Sequence, residues 1–146
     1  FDISPVSVAA AKLRAPKVRI ERQDVREPFP AAASQLGVVI ASLSLHYFPW
    51  EQTASIVQRI RASLKSGGVL LCRLNSTEDH NFGARGGCEI EENFYTVDGQ
   101  PKRFFDEAAV ARLLDHGWRR LSVQHMTSRK YFKQKALWEV VVEKVD

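Results

Sequence analysis

Apolar and polar positions change period several times along the chain, and each change marks an element. Phe1-Asp2-Ile3-Ser4-Pro5 reads as the end of a buried strand running into a helix. Two apolar residues flank an acid, Ser4 suits the N-cap, and Pro5 suits the first helical position, where its missing N–H costs nothing. The alanine-rich stretch from Ser4 to about Leu13 forms helix readily, and Pro16 ends it. Val18-Arg19-Ile20-Glu21-Arg22 alternates apolar and charged residues, which predicts a strand of period two that stops at Gln23-Asp24-Val25. Arg26 to Ala33 contains Pro28 and Pro30 and is a loop or short helix, not a central strand. The run from Leu36 to Leu43 is apolar, as expected of a strand buried on both faces of a parallel sheet, and it leads into the loop Ser44-Leu45-His46-Tyr47-Phe48.

From Trp50 or Glu51 to about Leu64, the residues Ala54, Ile56, Val57, Ile60 and Leu64 recur at helical spacing, and Lys65-Ser66-Gly67-Gly68 supplies the stop. Val69 to Leu74 predicts another buried strand. Asn75 to Gly87 is polar and glycine-bearing, a long loop of the kind that covers a site or is disordered. Ile90 to Val97 and Lys102 to Phe105 read as short extended pieces around the Asp98-Gly99 turn signal. Asp106 is a good N-cap for a helix through about Asp115, which His116-Gly117 ends. Trp118 to about Thr127 and Ala136 to Lys144 then form an antiparallel pair joined by a basic connection. The alternation of strands and helices predicts an α/β fold whose sheet has parallel strands and helical crossovers. With no repeat, low-complexity tract or linker, a single domain over residues 1–146 is expected.

Composition narrows the picture further. At 146 residues and 45% hydrophobic, the chain has enough apolar material for one core and too little length for two ordinary domains. The formal net charge of +4 does not by itself point to nucleic acid. Arg119, Arg120, Arg129, Lys130, Lys133 and Lys135 read most simply as the solvated face of the terminal hairpin. Cys72 and Cys88 make neither a disulfide framework nor a metal cluster, so a cytoplasmic, reducing setting is expected. His80 and His125 lack partners at metal spacing, and no metal site is expected. No apolar run approaches the roughly 20 residues that span a bilayer, so no membrane partner is expected either.

The chemistry concentrates at strand ends. Asp2 falls at the carboxyl edge of the predicted sheet, where doubly wound folds bind nucleotides and where an acid accepts both hydroxyls of a ribose. The glycine-rich turn that accompanies such an acid lies upstream of Phe1 in this reading, so an incomplete N-terminus is expected. His46 follows a buried strand, at a place from which a general base reaches a bound nucleophile. A lone histidine is as readily structural, and Tyr47 reads as core. Asn93, Phe94, Tyr95, Arg103, Phe104 and Phe105 either line a substrate pocket or pack a covering segment onto the domain, and packing is the simpler reading.

In the order of these strand endings the chain resembles the class I methyltransferases that use S-adenosylmethionine, and among them small-molecule enzymes of the tellurite-resistance type. Phe1-Asp2-Ile3-Ser4 resembles the second-strand ending of that family, Gln23-Asp24-Val25 the third, Ala41 to Tyr47 the fourth, and Leu64 to Leu71 the turn and fifth strand. The resemblance implies a Rossmann-like methyltransferase sheet of mostly parallel strands ending in an antiparallel hairpin, without the family's first strand and glycine-rich loop. It implies S-adenosylmethionine as cofactor, with Asp2 and Ile3 at the ribose. Asp24 and the Val25 backbone N–H would meet the adenine, and Ser42 and Leu43 would border the methionine portion through their backbone. His46 is then the candidate catalytic residue for a small-molecule acceptor. An NPPY-type signature of nucleic-acid amino methyltransferases is not present, which argues against a base-modifying enzyme.

Two other readings stay open on the sequence. The missing strand would leave unpaired backbone groups, so the chain is alternatively a non-catalytic remnant or interaction domain that forms a homodimer through an exposed sheet edge. A nicotinamide-dependent enzyme shares the ribose acid but predicts a parallel final strand in place of the hairpin.

Overall fold

Ser4 accepts a hydrogen bond from the Ser7 N–H at 3.2 Å and so starts α1, Pro5–Arg14, with Pro5 at the head of its first turn. The computed structural model describes residues 1–146, which form two compact units, Phe1–Ala33 and Ser34–Asp146. In the first unit, α1 is bracketed by one parallel bridge between Asp2 and Arg22. The expected strand Val18–Arg22 is reduced to that single bridge. A period-two strand needs an apolar face to bury, and here Val18 is exposed while Arg19 and Glu21 pair with each other at 2.6 Å.

The second unit is built on a four-stranded sheet of β1 (Leu36–Ser42), β2 (Leu64–Asn75), β6 (Trp118–Ser128) and β7 (Lys135–Lys144), in the order β1-β2-β7-β6. β1 and β2 are parallel, and β7 runs antiparallel to both β2 and β6, so three of the four strands point one way. The terminal hairpin is therefore antiparallel, as expected, and the parallel finish of a nicotinamide-dependent enzyme is ruled out. Between β1 and β2 lies α2, Trp50–Ser63, the crossover helix. Between β2 and β6 lie a short 3₁₀ turn (His80–Phe82), a three-stranded antiparallel meander of β3 (Cys88–Glu91), β4 (Phe94–Val97) and β5 (Gln100–Arg103), and α3, Glu107–Leu113. Asp106 caps α3 by accepting from the Ala109 N–H at 2.7 Å.

Register shows how the core is shared out. Leu70 pairs with Val142 and Cys72 with Val140, which puts all four side chains on one face. All are fully buried, and α2 packs on this side with Ile56, Val57 and Ile60. The helix stop becomes a bulge at the start of β2, and only glycine fits at Gly68, where a Cβ would stand 2.8 Å from the Leu36 carbonyl oxygen.

The other face carries Val38, Ile40, Val69, Leu71 and Val141, together with the cross-strand ion pairs Arg73–Glu139 and Arg119–Glu143, each at 2.6 Å. Here the expectation of a strand buried on both faces fails. Val38 is 60% and Ile40 69% exposed, because β1 is an edge strand whose outer face is uncovered.

Candidate functional site

In the first unit the bridge sets two of the expected site acids beside each other. The Asp2 N–H donates to the Glu21 carbonyl at 3.3 Å and the Gln23 N–H donates to the Asp2 carbonyl at 3.0 Å, so Asp2 and Asp24 end adjacent segments. Asp2 is exposed, and one carboxylate oxygen accepts from the Ser4 N–H at 2.8 Å, which holds the side chain at the entrance to α1. Ile3 is exposed, and its carbonyl accepts from Arg22 Nε at 3.1 Å.

Asp24 is more heavily engaged than the sequence reading expects. Arg26 grips it with Nε at 3.0 Å from each oxygen and Nη2 at 2.5 Å, and the Arg26 N–H donates at 2.8 Å. These hydrogen bonds hold the Asp24 carboxyl below the usual carboxylate range. A ligand amino group would share those oxygens with the guanidinium or displace it. Val25, half-buried, follows in the turn.

In the second unit the chain turns sharply where β1 ends. Ser42 is exposed, and Leu43 adopts a left-handed conformation with φ of 53° while its N–H donates to the Arg73 carbonyl at 3.0 Å. Left-handed backbone at a non-glycine residue is strained, and such strain gathers where a chain must present groups to a ligand. The turn drives Leu45 into the core and buries His46. Thr53 Oγ1 of α2 donates to the carbonyls of Leu45 at 3.4 Å and Phe48 at 3.2 Å, fixing the segment against the helix.

His46 is 5% exposed, its ring lies 4.0 Å from that of Tyr47, and its Nδ1 is buried without a hydrogen-bond partner. Burial first, and then the positive charges of Lys135 and Lys102, push its pKa down to about 3. The imidazole is thus neutral around pH 7. A proton is costly to place on it. Tyr47 is 46% exposed, against the expectation that it is core, because the turn at Leu43 sends the next buried positions to Leu45 and His46.

The segment from Ser76 to Arg103 reaches this turn through the Arg103 N–H on the His46 carbonyl, and it meets Lys135, which is buried and not on the solvated face expected of the hairpin's basic residues. Asp79 and Lys135 form a buried ion pair at 2.6 Å, and Lys135 Nζ stands 4.6 Å above the Phe82 ring. Lys102 Nζ donates to the Phe82 carbonyl at 3.1 Å. Phe94, Tyr95, Phe104 and Phe105 are buried, so the aromatic residues of this stretch act by packing. No group of three or more His, Cys, Asp and Glu side chains is arranged to hold a metal ion. A cavity of about 260 Å³ opens elsewhere, lined by Glu107, Val110, Arg120, Leu121, Val123 and Trp138 among others, and none of the expected site residues borders it.

Comparison with known proteins adds the remaining observations. Residues 1–68 match a family model described as a methyltransferase domain. No curated protein matches the chain. Among solved structures, an S-adenosylmethionine-dependent methyltransferase from Methanosarcina mazei aligns with 99% of this chain and 80% of its own, at 14% identity and a TM-score of 0.76. One from Clostridium acetobutylicum covers 99% of this chain and 73% of its own, at 16% identity and a TM-score of 0.70. The 1,6-didemethyltoxoflavin-N1-methyltransferase of Burkholderia thailandensis, solved with that compound and S-adenosylhomocysteine, covers 99% of this chain and 59% of its own, at 17% identity and a TM-score of 0.72. The chain therefore has the Rossmann-like methyltransferase fold, and its first 68 residues match the methyltransferase domain.

Proposed function

We propose that the chain is one methyltransferase domain that binds S-adenosylmethionine and transfers a methyl group to a small molecule, in the manner of enzymes similar to the tellurite-resistance type. One observation carries the reading: the matched residues 1–68 contain every strand end at which a cofactor or catalytic residue is expected. The cofactor supplies a methyl group on a sulfonium, already activated for displacement by a nucleophile. In the first unit, Asp2 and Ile3 serve the ribose, while Asp24 and the Val25 N–H serve the adenine. In the second, the backbone of Ser42 and Leu43 borders the methionine portion. His46, on the acceptor side, orients the nucleophile through a neutral ring nitrogen, and orientation of two bound reactants supplies roughly 7 to 11 kcal/mol of such a barrier.

A small-molecule partner is supported by the toxoflavin-type substrate bound in the Burkholderia structure. The two free thiols, Cys72 and Cys88, suit a cytoplasmic setting. No helix is long and apolar enough to cross a membrane. Titration calorimetry of the chain with S-adenosylhomocysteine tests the reading. Binding is expected, weakened roughly tenfold or more in Asp2→Asn, because hydrogen bonds to a charged acceptor are worth about 1.5–3 kcal/mol. No binding by the unaltered chain would end the proposal.

A second reading is favoured by a separate observation, the open edge of β1 with Val38 and Ile40 on its uncovered face. Such an edge templates pairing with a second copy of the chain, giving a homodimer with or without methyl transfer. Sedimentation velocity is expected to show a dimer that Ile40→Lys shifts to monomer, and a monomer at all concentrations would remove this reading.

A further inference from the structure

We propose that Arg103, at the end of β5, is a positioning residue for His46: with Glu91 of β3 it latches the meander onto the segment from Leu43 to Trp50 and holds the imidazole in its buried pose. Arg103 is 3% exposed, and its groups are divided between that segment and the meander. Its backbone N–H donates to the His46 carbonyl at 2.6 Å, and its side-chain Nε donates to the Phe48 carbonyl at 3.1 Å. Nη1 donates to the Glu92 carbonyl at 3.2 Å, and Nη2 forms an ion pair with Glu91. Glu91 in turn accepts from the Trp50 N–H at 2.6 Å, at the first residue of α2. The guanidinium lies 4.8 Å from the centre of the Phe94 ring and 5.7 Å from that of Trp50.

Residues between Leu43 and Trp50 have neither helix nor strand to satisfy their carbonyls, so the oxygens of His46 and Phe48 depend on partners from elsewhere. Thr53 serves Leu45 and Phe48, whereas the peptide of His46 is tied by the Arg103 backbone N–H, and the Arg103 side chain holds the end of β5 in place through Phe48, Glu92 and Glu91. A planar fork with five donors can reach the Phe48 carbonyl, the Glu92 carbonyl and the Glu91 carboxylate at once, which the point charge of a lysine cannot. The charges nearest the His46 ring, Lys102 and Lys135, come from β5 and β7, and Arg112 of α3 is the cation that bears on Arg103. Release of the latch would leave His46 accessible to water while the sheet beneath it stays intact.

The assignment rests on the methyltransferase reading only in making His46 the residue worth positioning, and its test is independent of that reading. The ring protons of His46, assigned by comparison with His46→Gln, are followed by NMR from pH 8 to 5 in the unaltered chain, in Arg103→Lys and in Glu91→Gln. The unaltered ring is expected to stay silent over this range, whereas both variants, folded by circular dichroism, are expected to titrate with a midpoint moved from about 3 towards the ordinary 6.5. A ring that stays silent in the folded variants overturns the proposal.

Hydrogen exchange in the unaltered chain gives a measurement that needs no variant. Amides of residues 43–48 should open together with those of β3–β5 and before those of β2 and β7, and opening only with β2 and β7 counts equally against the latch. Absence of S-adenosylhomocysteine binding alongside a shifted His46 would remove the methyltransferase reading and leave the latch. Binding alongside a silent His46 would do the reverse.

Discussion

Lys135 Nζ stands 2.6 Å from Asp79 Oδ2, and the two side chains are 7% and 0% exposed. The second Asp79 oxygen accepts from the Ala136 N–H at 3.1 Å, so one carboxylate ties the turn before the meander to the start of β7. Two desolvated charges in such a pair stabilise little relative to apolar groups of the same shape, but removing one strands the other. Asp79→Asn is therefore expected to cost about 3–5 kcal/mol in urea unfolding. The double variant Asp79→Leu with Lys135→Met should recover much of that loss. A cost below about 1 kcal/mol for Asp79→Asn would mean that Lys135 finds water or another acid, contrary to its burial.

The buried imidazole of His46 makes stability depend on pH with a definite sign. Its pKa in the folded chain is about 3, against 6.5 when unperturbed, so between these values the unfolded chain holds a proton that the folded chain does not. The contribution is fully present above pH 6.5 and is lost as pH falls towards 3. Urea unfolding should weaken through this group by about 1.4 kcal/mol per pH unit in that window. Subtracting the same series measured on His46→Gln isolates the effect. Parallel curves for the two proteins between pH 6 and 4.5 would show that His46 is solvated in the folded chain.

Local signals made much of this fold legible. Ser4, Pro5 and Asp106 announce helix starts because caps act within three residues, and the structure shows Ser4 and Asp106 accepting the bonds their type predicts. Asp98 and Gly99 both have positive φ, 51° and 74°, as a tight hairpin between β4 and β5 requires. The failures are long-range. Whether Val18–Arg22 pairs along its length, or Leu36–Leu43 is covered on its second face, depends on segments that periodicity does not describe. The partners of Arg103 and Asp79 lie as much as 55 and 57 residues away in sequence, and no spacing rule brings them together. The Asp24–Arg26 fork differs, since an acid with an arginine two residues on is a visible local pattern that the reading passed over.

Cys72 and Cys88 should differ sharply as nucleophiles. Burial pushes the Cys72 thiol up to about 12, so it offers almost no thiolate, while Cys88 lies exposed on β3. A chromogenic disulfide reagent at pH 8 is expected to modify one thiol per chain quickly and the second only on unfolding in urea. Mass spectrometry should place the fast label on Cys88. Rapid modification of both thiols in the folded protein would show that the α2 face of the sheet opens readily.

Gly117 joins α3 to β6 with φ of 76°, and the Arg61 side chain of α2 closes over it. Arg61 Nε donates to the Gly117 carbonyl at 2.9 Å and Nη2 to the Val145 carbonyl at 2.5 Å, so one guanidinium fastens the helix to both ends of the terminal hairpin. A Cβ at residue 117 would fall within contact distance of that guanidinium as well as forcing a left-handed alanine. Gly117→Ala should therefore cost about 1–3 kcal/mol, from backbone strain together with the displaced arginine. Arg61→Met in the same background separates the two, because it removes the obstructed group and leaves the strain. If Gly117→Ala is equally destabilising with and without Arg61, the cost lies in the backbone alone. If the loss shrinks when Arg61 is gone, the arginine clasp contributes to it, and the difference measures the coupling between residues 61 and 117.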